Sequence, residues 1–244
     1  NIVSSRNLYG GTKTMLSAAL PRFGITAKFA DVNEPNSFAH LIDEKTRCVY
    51  VETISNPSGD IPDFEIFAKI AHDHDLPLVV DNTFASPFLC RPIEWGADIV
   101  IHSATKFIGG HGTSIGGVII DSGNFPWESG RFSEFTQPSS GYHGLNFWET
   151  FKHEAFIKKC RYEGLRTLGP APSPFNAFLF LQGLETLHLR VPRHNTSALE
   201  IARFLKNHPK IDWVTYAGLP DHPSHQLAGK YFSGGYGSIF TFGV

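Results

Sequence analysis

Short apolar runs, recurring with roughly one helix between them, constrain the fold of this chain more than any other feature. Cys48-Val49-Tyr50-Val51-Glu52, Leu76-Pro77-Leu78-Val79-Val80-Asp81 and Ile99-Val100-Ile101-His102 are continuous rather than alternating, as in strands covered on both faces. Between the first two, Phe64, Phe67, Ala68 and Ala71 fall at i, i+3, i+4 and i+7 behind Asp63, which predicts a capped helix. Such alternation gives βαβ units, so the fold class is α/β, with a mainly parallel sheet sandwiched by helices. Asn1 to Ser5 and Val118 to Asp121 read as further strands, and Lys13 to Arg22 as a helix.

Later segments extend this plan. Helices are expected from about Glu154 to Leu168, stopped by Gly169-Pro170, and from Ser173-Pro174 toward Arg190. Another is expected behind a cap at Asn195 or Thr196. Ile211 to Tyr216 and Ser238 to Phe242 read as strands of a smaller α+β domain. The division is 1–188 for the large domain and 189–244 for the beginning of the small one. Asn1-Ile2-Val3-Ser4 looks like a strand entered in mid-domain, so the chain is expected to be a piece of a longer protein, short at both ends.

Hydrophobic residues at 41% of 244 support a sizeable core, and the net charge of −2 leaves no basic footprint for nucleic acid or an acidic membrane surface. A small metabolite is the expected partner. Cys48, Cys90 and Cys160 are few and far apart, which suits a reducing cytoplasm rather than a disulfide framework. No CxxC or HExxH pattern and no membrane-length apolar run occurs. No metal role is assigned to His102 or His111; His111 is expected to pack or hydrogen-bond within its loop. His72 and His74 are expected to meet the last carbonyls of their helix.

Three strands deliver polar loops, after Val51, Val80 and Ile101, to one edge of one sheet, where α/β proteins bind ligands. One loop carries Ser103, Thr105 and Lys106; another starts at Asp81 and continues to Thr83; the third holds Asn56 in Ser55-Asn56-Pro57. Tyr9 sits on a glycine turn with Gly10 and Gly11. Taken alone, Lys106 is a solvated loop residue, a phosphate counter-ion or a nucleophile. Pyridoxal 5′-phosphate (PLP) uses all of these groups together. Its aldehyde needs a lysine, its pyridine nitrogen an acid, its phosphate hydroxyl and N–H donors, and its ring an aromatic cover. Gly110, Gly112 and Gly116 do not read as a dinucleotide loop, because the segment after them is a strand rather than a helix.

SATKFIGGHG around Lys106, VVDNTFASP around Asp81, ETISNP around Asn56 and NLYGGT around Tyr9 resemble the signatures of the Cys/Met-metabolism family of PLP enzymes, of the aspartate-aminotransferase-like fold type I. The four motifs stand in family order and at family spacing. The resemblance implies Lys106 as the catalytic Schiff-base lysine, Asp81 as the pyridinium partner and Tyr9 as the ring stacked on PLP. It also implies Ser103 and Thr105 at the phosphate, Asn56 at the phenolic oxygen and Thr83 near the ring.

Within the family, GNFPWESGRFSEFTQPSSGYHG and RTLGPAPSPFNAFLFLQGLETLHLR are similar to the O-acetylhomoserine sulfhydrylases. The activity this implies is a transferase reaction of methionine and cysteine biosynthesis. The acetoxy group of O-acetylhomoserine is replaced by sulfide, giving homocysteine and acetate. Cystathionine γ-synthases and γ-lyases are the alternative within the family, and a scaffold or partial chain that does not retain PLP is the alternative outside it. The resemblance further implies a homotetramer built from dimers with shared active sites. A phosphate-binding glycine loop, a Tyr-x-Arg segment from a neighbouring subunit and a carboxylate-binding arginine have no counterpart in these residues. The aromatic stretch 122–151 is expected to form a subunit contact or to gate substrate.

Overall fold

Five parallel strands and one antiparallel edge form the central sheet of the computed structural model, which describes residues 1–244. β1 (Ile2–Ser5), β2 (Ala27–Ala30), β3 (Cys48–Glu52), β4 (Leu78–Asp81), β5 (Ile99–Ser103) and β6 (Gly117–Asp121) lie in the order β2-β1-β3-β4-β5-β6. Only β6 is reversed, pairing Ser103 with Gly117 and Ile99 with Asp121. The connection from Ala104 to Gly116 contains no helix to carry the chain back across the sheet, so the strand it delivers runs the other way.

The pleat sends alternate residues to opposite faces. Val49, Val51, Leu78 and Val80 join the main core with Phe64, Phe67 and Ala71 of the helix Phe64–His72, while Tyr50 packs on the other face with Leu8 and Leu16. Phe64 and Phe67 are fully buried, each worth roughly 1.5–3 kcal/mol by transfer from water. Asp63 caps this helix as expected, its side chain accepting the Ile66 N–H. β2 and the helix Pro35–Leu41 have no counterpart in the sequence reading. Ala27-Lys28-Phe29-Ala30 is a short edge strand only partly covered, and its lysine is paired with Asp43 at 2.7 Å, so it lacks the apolar run that marks the central strands.

His74 Nδ1 lies 2.8 Å from the Ile70 carbonyl, as the sequence suggests for a last-turn histidine. His72 does something else: its Nε2 lies 2.8 Å from the Asp98 carboxylate, whose same oxygen accepts the Leu78 N–H. This bond raises the His72 pKa above its ordinary value against the opposing effect of burial. A raised folded-state pKa means that the pair's contribution is complete below about pH 6.5 and is lost as the pH climbs through the raised value. The gap in melting temperature between wild type and His72→Gln is therefore expected to be widest near about pH 6 and to shrink at alkaline pH. Calorimetry across that range checks it, and a gap that grows with pH would contradict it.

Five rings of the stretch 122–151 turn inward, a packing role the sequence reading did not give them. Phe125, Trp127, Phe132, Phe135 and Phe147 are all buried in the main core, with Trp127 stacked 4.4 Å from Phe135 and 5.1 Å from Phe156. Arg131 donates to the Thr46 carbonyl and fastens the stretch to the turn before β3. So many large rings gain more by packing on one another than by facing water.

Ser173 caps the helix Pro174–Glu185 by accepting the Asn176 N–H at 3.1 Å. The next helix differs from expectation. It runs from Leu187 to Lys206 without a break, with Pro192 inside it and no cap at Asn195 or Thr196. Its buried stripe, Leu187, Val191, Asn195, Ala198 and Ala202, explains why: packing along one face holds the helix across the proline. β7 (Trp213–Thr215) and β8 (Thr241–Gly243) form a separate antiparallel pair. Beside them Tyr216 and Leu219 cluster with Ala198 and Ala202. No helix is long and apolar enough to cross a membrane.

Candidate active site

The carboxyl ends of β3, β4 and β5 are in register, Glu52 beside Asp81 and Asp81 beside Ile101, so the loops that follow them open onto a common cleft. That cleft holds about 650 Å³ and is lined by all seven residues singled out in the sequence: Tyr9, Asn56, Asp81, Thr83, Ser103, Thr105 and Lys106.

Asp81 is fixed from several sides. It accepts from the Tyr50 hydroxyl at 3.1 Å, from the Thr83 N–H at 3.0 Å and from the Thr83 hydroxyl. Thr83 Oγ1 in turn accepts the Ser103 N–H at 2.8 Å. A single network therefore ties the ends of three adjacent strands. Thr53 adds to it by donating to the Asn82 side chain at 2.8 Å.

Lys106 follows β5 in a tight turn, its N–H bonded to the Ser103 carbonyl and its own carbonyl accepting the Gly110 N–H. Its Nζ stands 5.8 Å from the centre of the Tyr9 ring across the cleft. The turn is seated on the helices behind it. A Cβ at Gly183 would lie 2.3 Å from the Gly109 carbonyl oxygen and 2.4 Å from that of Ile108, so backbone meets backbone there. Arg190 closes the seat, donating to the Phe107 carbonyl at 2.9 Å and the Gly183 carbonyl at 2.7 Å. Thr105 is partly engaged by its own loop, its hydroxyl accepting the Gly116 N–H at 3.1 Å.

Tyr9 is half exposed toward the cleft, and Gly11 leaves it room: a Cβ there would come within 2.6 Å of the ring. His102 is buried at the end of β5, where burial holds its pKa below the ordinary value. His111 is exposed, with Nδ1 2.8 Å from the Gly109 carbonyl, as expected of a loop residue.

Sequence reasoning missed Glu52 and Tyr50. Glu52 is only 5% exposed and lines the cleft. Burial, with a smaller push from the Asp81 charge, raises its carboxyl to about 7 against the pull of two backbone N–H bonds. The signal was available, because Glu52 ends its apolar run just as Asp81 ends the next. Tyr50 read only as a strand residue; burial and the neighbouring Asp81 and Glu52 charges raise its pKa far above the usual phenol value.

A profile of the Cys/Met metabolism PLP-dependent enzymes matches residues 1–244. Homocysteine synthase of Schizosaccharomyces pombe is 54% identical over 247 residues, covering 100% of this chain and 58% of that protein. O-acetyl-L-homoserine sulfhydrylase of Leptospira meyeri is 50% identical over 252 residues, covering 100% and 57%. The chain thus spans less than two thirds of the length of these relatives. Among solved structures, an O-acetylhomoserine (thiol)-lyase of Campylobacter jejuni, containing a pyridoxyl-lysine monophosphate, is 36% identical with a TM-score of 0.95 over 99% of this chain and 61% of that one. An O-acetylhomoserine sulfhydrylase of the methionine biosynthetic pathway of Wolinella succinogenes is 37% identical, with a TM-score of 0.86 over 99% of this chain and 66% of that one. With all of its residues matched by that profile, and with an amine and a carboxylate facing one cleft from neighbouring strand ends, the chain belongs to the Cys/Met metabolism family of PLP-dependent enzymes, fold type I.

Proposed function

We propose that the full-length protein replaces the acetoxy group of O-acetylhomoserine with sulfide, giving homocysteine and acetate. The observation that carries this reading is the placement of Lys106 and Asp81 on one cleft beside Tyr9 and the Thr83 and Ser103 loops, in a chain about half identical to homocysteine synthases and O-acetylhomoserine sulfhydrylases.

The residues present fit PLP. An amine, a firmly held carboxylate, an open aromatic face and several hydroxyls surround one cavity of suitable size. When bound, PLP supplies an electron sink that makes the substrate Cα–H acidic. Lys106 would hold the cofactor through Nζ and, once displaced by the substrate amine, take the Cα proton and return it as general base and acid. Asp81 would face the ring nitrogen, its orientation set by Tyr50 and Thr83 rather than by solvent. Tyr9 would cover the ring and exclude water from that face. Ser103 and Thr105 would donate to the phosphate, Thr105 with a hydroxyl already shared with Gly116. Asn56 would approach the phenolic oxygen, and Thr83 the ring.

Residues 1–188 are read as the cofactor domain and 189–244 as the beginning of a smaller one, on the strength of the second sheet. The setting is cytoplasmic. The assembly is a homotetramer of dimers with shared active sites; its support is the exposed apolar face of the helix Pro174–Glu185, with Phe175, Phe178 and Leu181 all more than half exposed, and sedimentation velocity tests it.

Product analysis of the full-length protein with O-acetylhomoserine and sulfide is expected to give homocysteine and acetate. Faster turnover with cysteine, giving cystathionine, would move the protein to the γ-synthase branch, and no product from either would defeat the reading.

A further inference from the structure

Glu52 is a buried acid whose two oxygens are bound to opposite walls of the cleft. Oε1 accepts the Tyr9 N–H at 2.8 Å and Oε2 accepts the Asn56 N–H at 3.2 Å. Tyr9 lies on the turn after β1, and Asn56 on the loop after β3. The Tyr9 turn needs such a tie, because it is followed by two glycines and its own ring is half exposed. Beyond Glu52, the turn is held by the burial of the neighbouring Leu8 and by Asn7, whose amide donates to the Ser58 hydroxyl at 3.2 Å.

The side chain is poorly placed for stability. It is opposite Asp81 in strand register, and like charges on adjacent strands oppose one another. Burial disfavours its ionised form as well, which accounts for its raised carboxyl. An uncharged side chain there would relieve both penalties. A group that is costly to bury and yet joins two cleft walls is better explained by what the walls hold than by the fold.

We propose that Glu52 is a positioning residue of the active site, its carboxylate setting the distance between the Tyr9 wall and the Asn56 wall and so the width of the slot that receives the cofactor ring. This rests on the reading of the cleft as a PLP site. Glutamine keeps one good acceptor and turns an N–H toward the other wall, so one wall is released; alanine releases both.

The test is made on the full-length protein, stripped of cofactor and titrated with PLP. Glu52→Gln is expected to weaken PLP binding roughly tenfold and Glu52→Ala up to roughly 100-fold, the span for losing one and then both hydrogen bonds to a charged acceptor. The visible circular dichroism of bound PLP is expected to fall in the same order, because a ring in a loosened slot is less uniformly oriented. The melting temperature of cofactor-free Glu52→Gln at about pH 8 is expected to equal or exceed that of wild type, since a buried charge has been removed. Unchanged affinity and dichroism in the glutamine variant would overturn the proposal. So would a loss of affinity accompanied by a lower melting temperature of its cofactor-free form, the mark of a loop staple without a role at the ring. Neither readout requires turnover, so a wild-type protein that binds PLP and forms no homocysteine would end the proposed reaction and leave this inference standing.

Discussion

Lys106→Ala in the full-length protein is expected to abolish homocysteine formation while leaving the fold intact. The side chain is exposed on a turn held by main-chain bonds and by Arg190 and Thr105, in none of which its amine takes part, so removing it disturbs neither the strand end nor the seat on Gly183. What disappears is the amine that would tether the cofactor and move the Cα proton. A positioned general base alone contributes roughly 10²–10⁴-fold, and loss of the tether adds to that. Steady-state assay with O-acetylhomoserine and sulfide measures the rate, and absorbance in the visible reports whether PLP remains covalently held. A variant within tenfold of wild type would mean that another group does this work.

Asp81→Asn is the second large effect expected, and it should appear in kcat rather than in KM. Asparagine nearly matches aspartate in shape and still accepts through one oxygen from Tyr50 or Thr83, so the variant is expected to fold and to keep its substrate contacts. It cannot match the charge of a protonated ring nitrogen. Removing one preorganised electrostatic partner of this kind lowers kcat by roughly 10²–10³-fold. If kcat held and KM alone rose, Asp81 would be a substrate-binding residue and the orientation assigned to the cofactor would be wrong.

The legible part of the fold consists of features written in a few neighbouring residues. The continuous runs that became β3, β4 and β5, the Asp63 and Ser173 caps and the stop at Gly169 are such features, and the structure contains each of them. All seven expected cleft residues follow strand ends or a glycine turn, where local pattern and ligand chemistry coincide, and the cleft brings all seven together. The features that escaped depend on distant partners. That five rings of 122–151 pack inward is decided by a core assembled from elements far apart in sequence. The helix through Pro192 survives because Leu187, Val191 and Ala198 are buried on one side, a fact absent from residues 192–196 themselves. Glu52 was hidden for a related reason: a strand-end acid is unremarked until two separate loops are found hanging from it.

The seat built by Gly183 and Arg190 has a mechanical consequence. The Lys106 amine is suspended between the sheet and the long helical pair, and one guanidinium joins the residue after the lysine to the last turn of the helix Pro174–Glu185. A tilt of the helix Leu187–Lys206, which also packs against the β7–β8 pair, therefore pulls at Phe107 before any strand has shifted. The β7–β8 pair and the Lys106 turn thus share one lever, the helix between them.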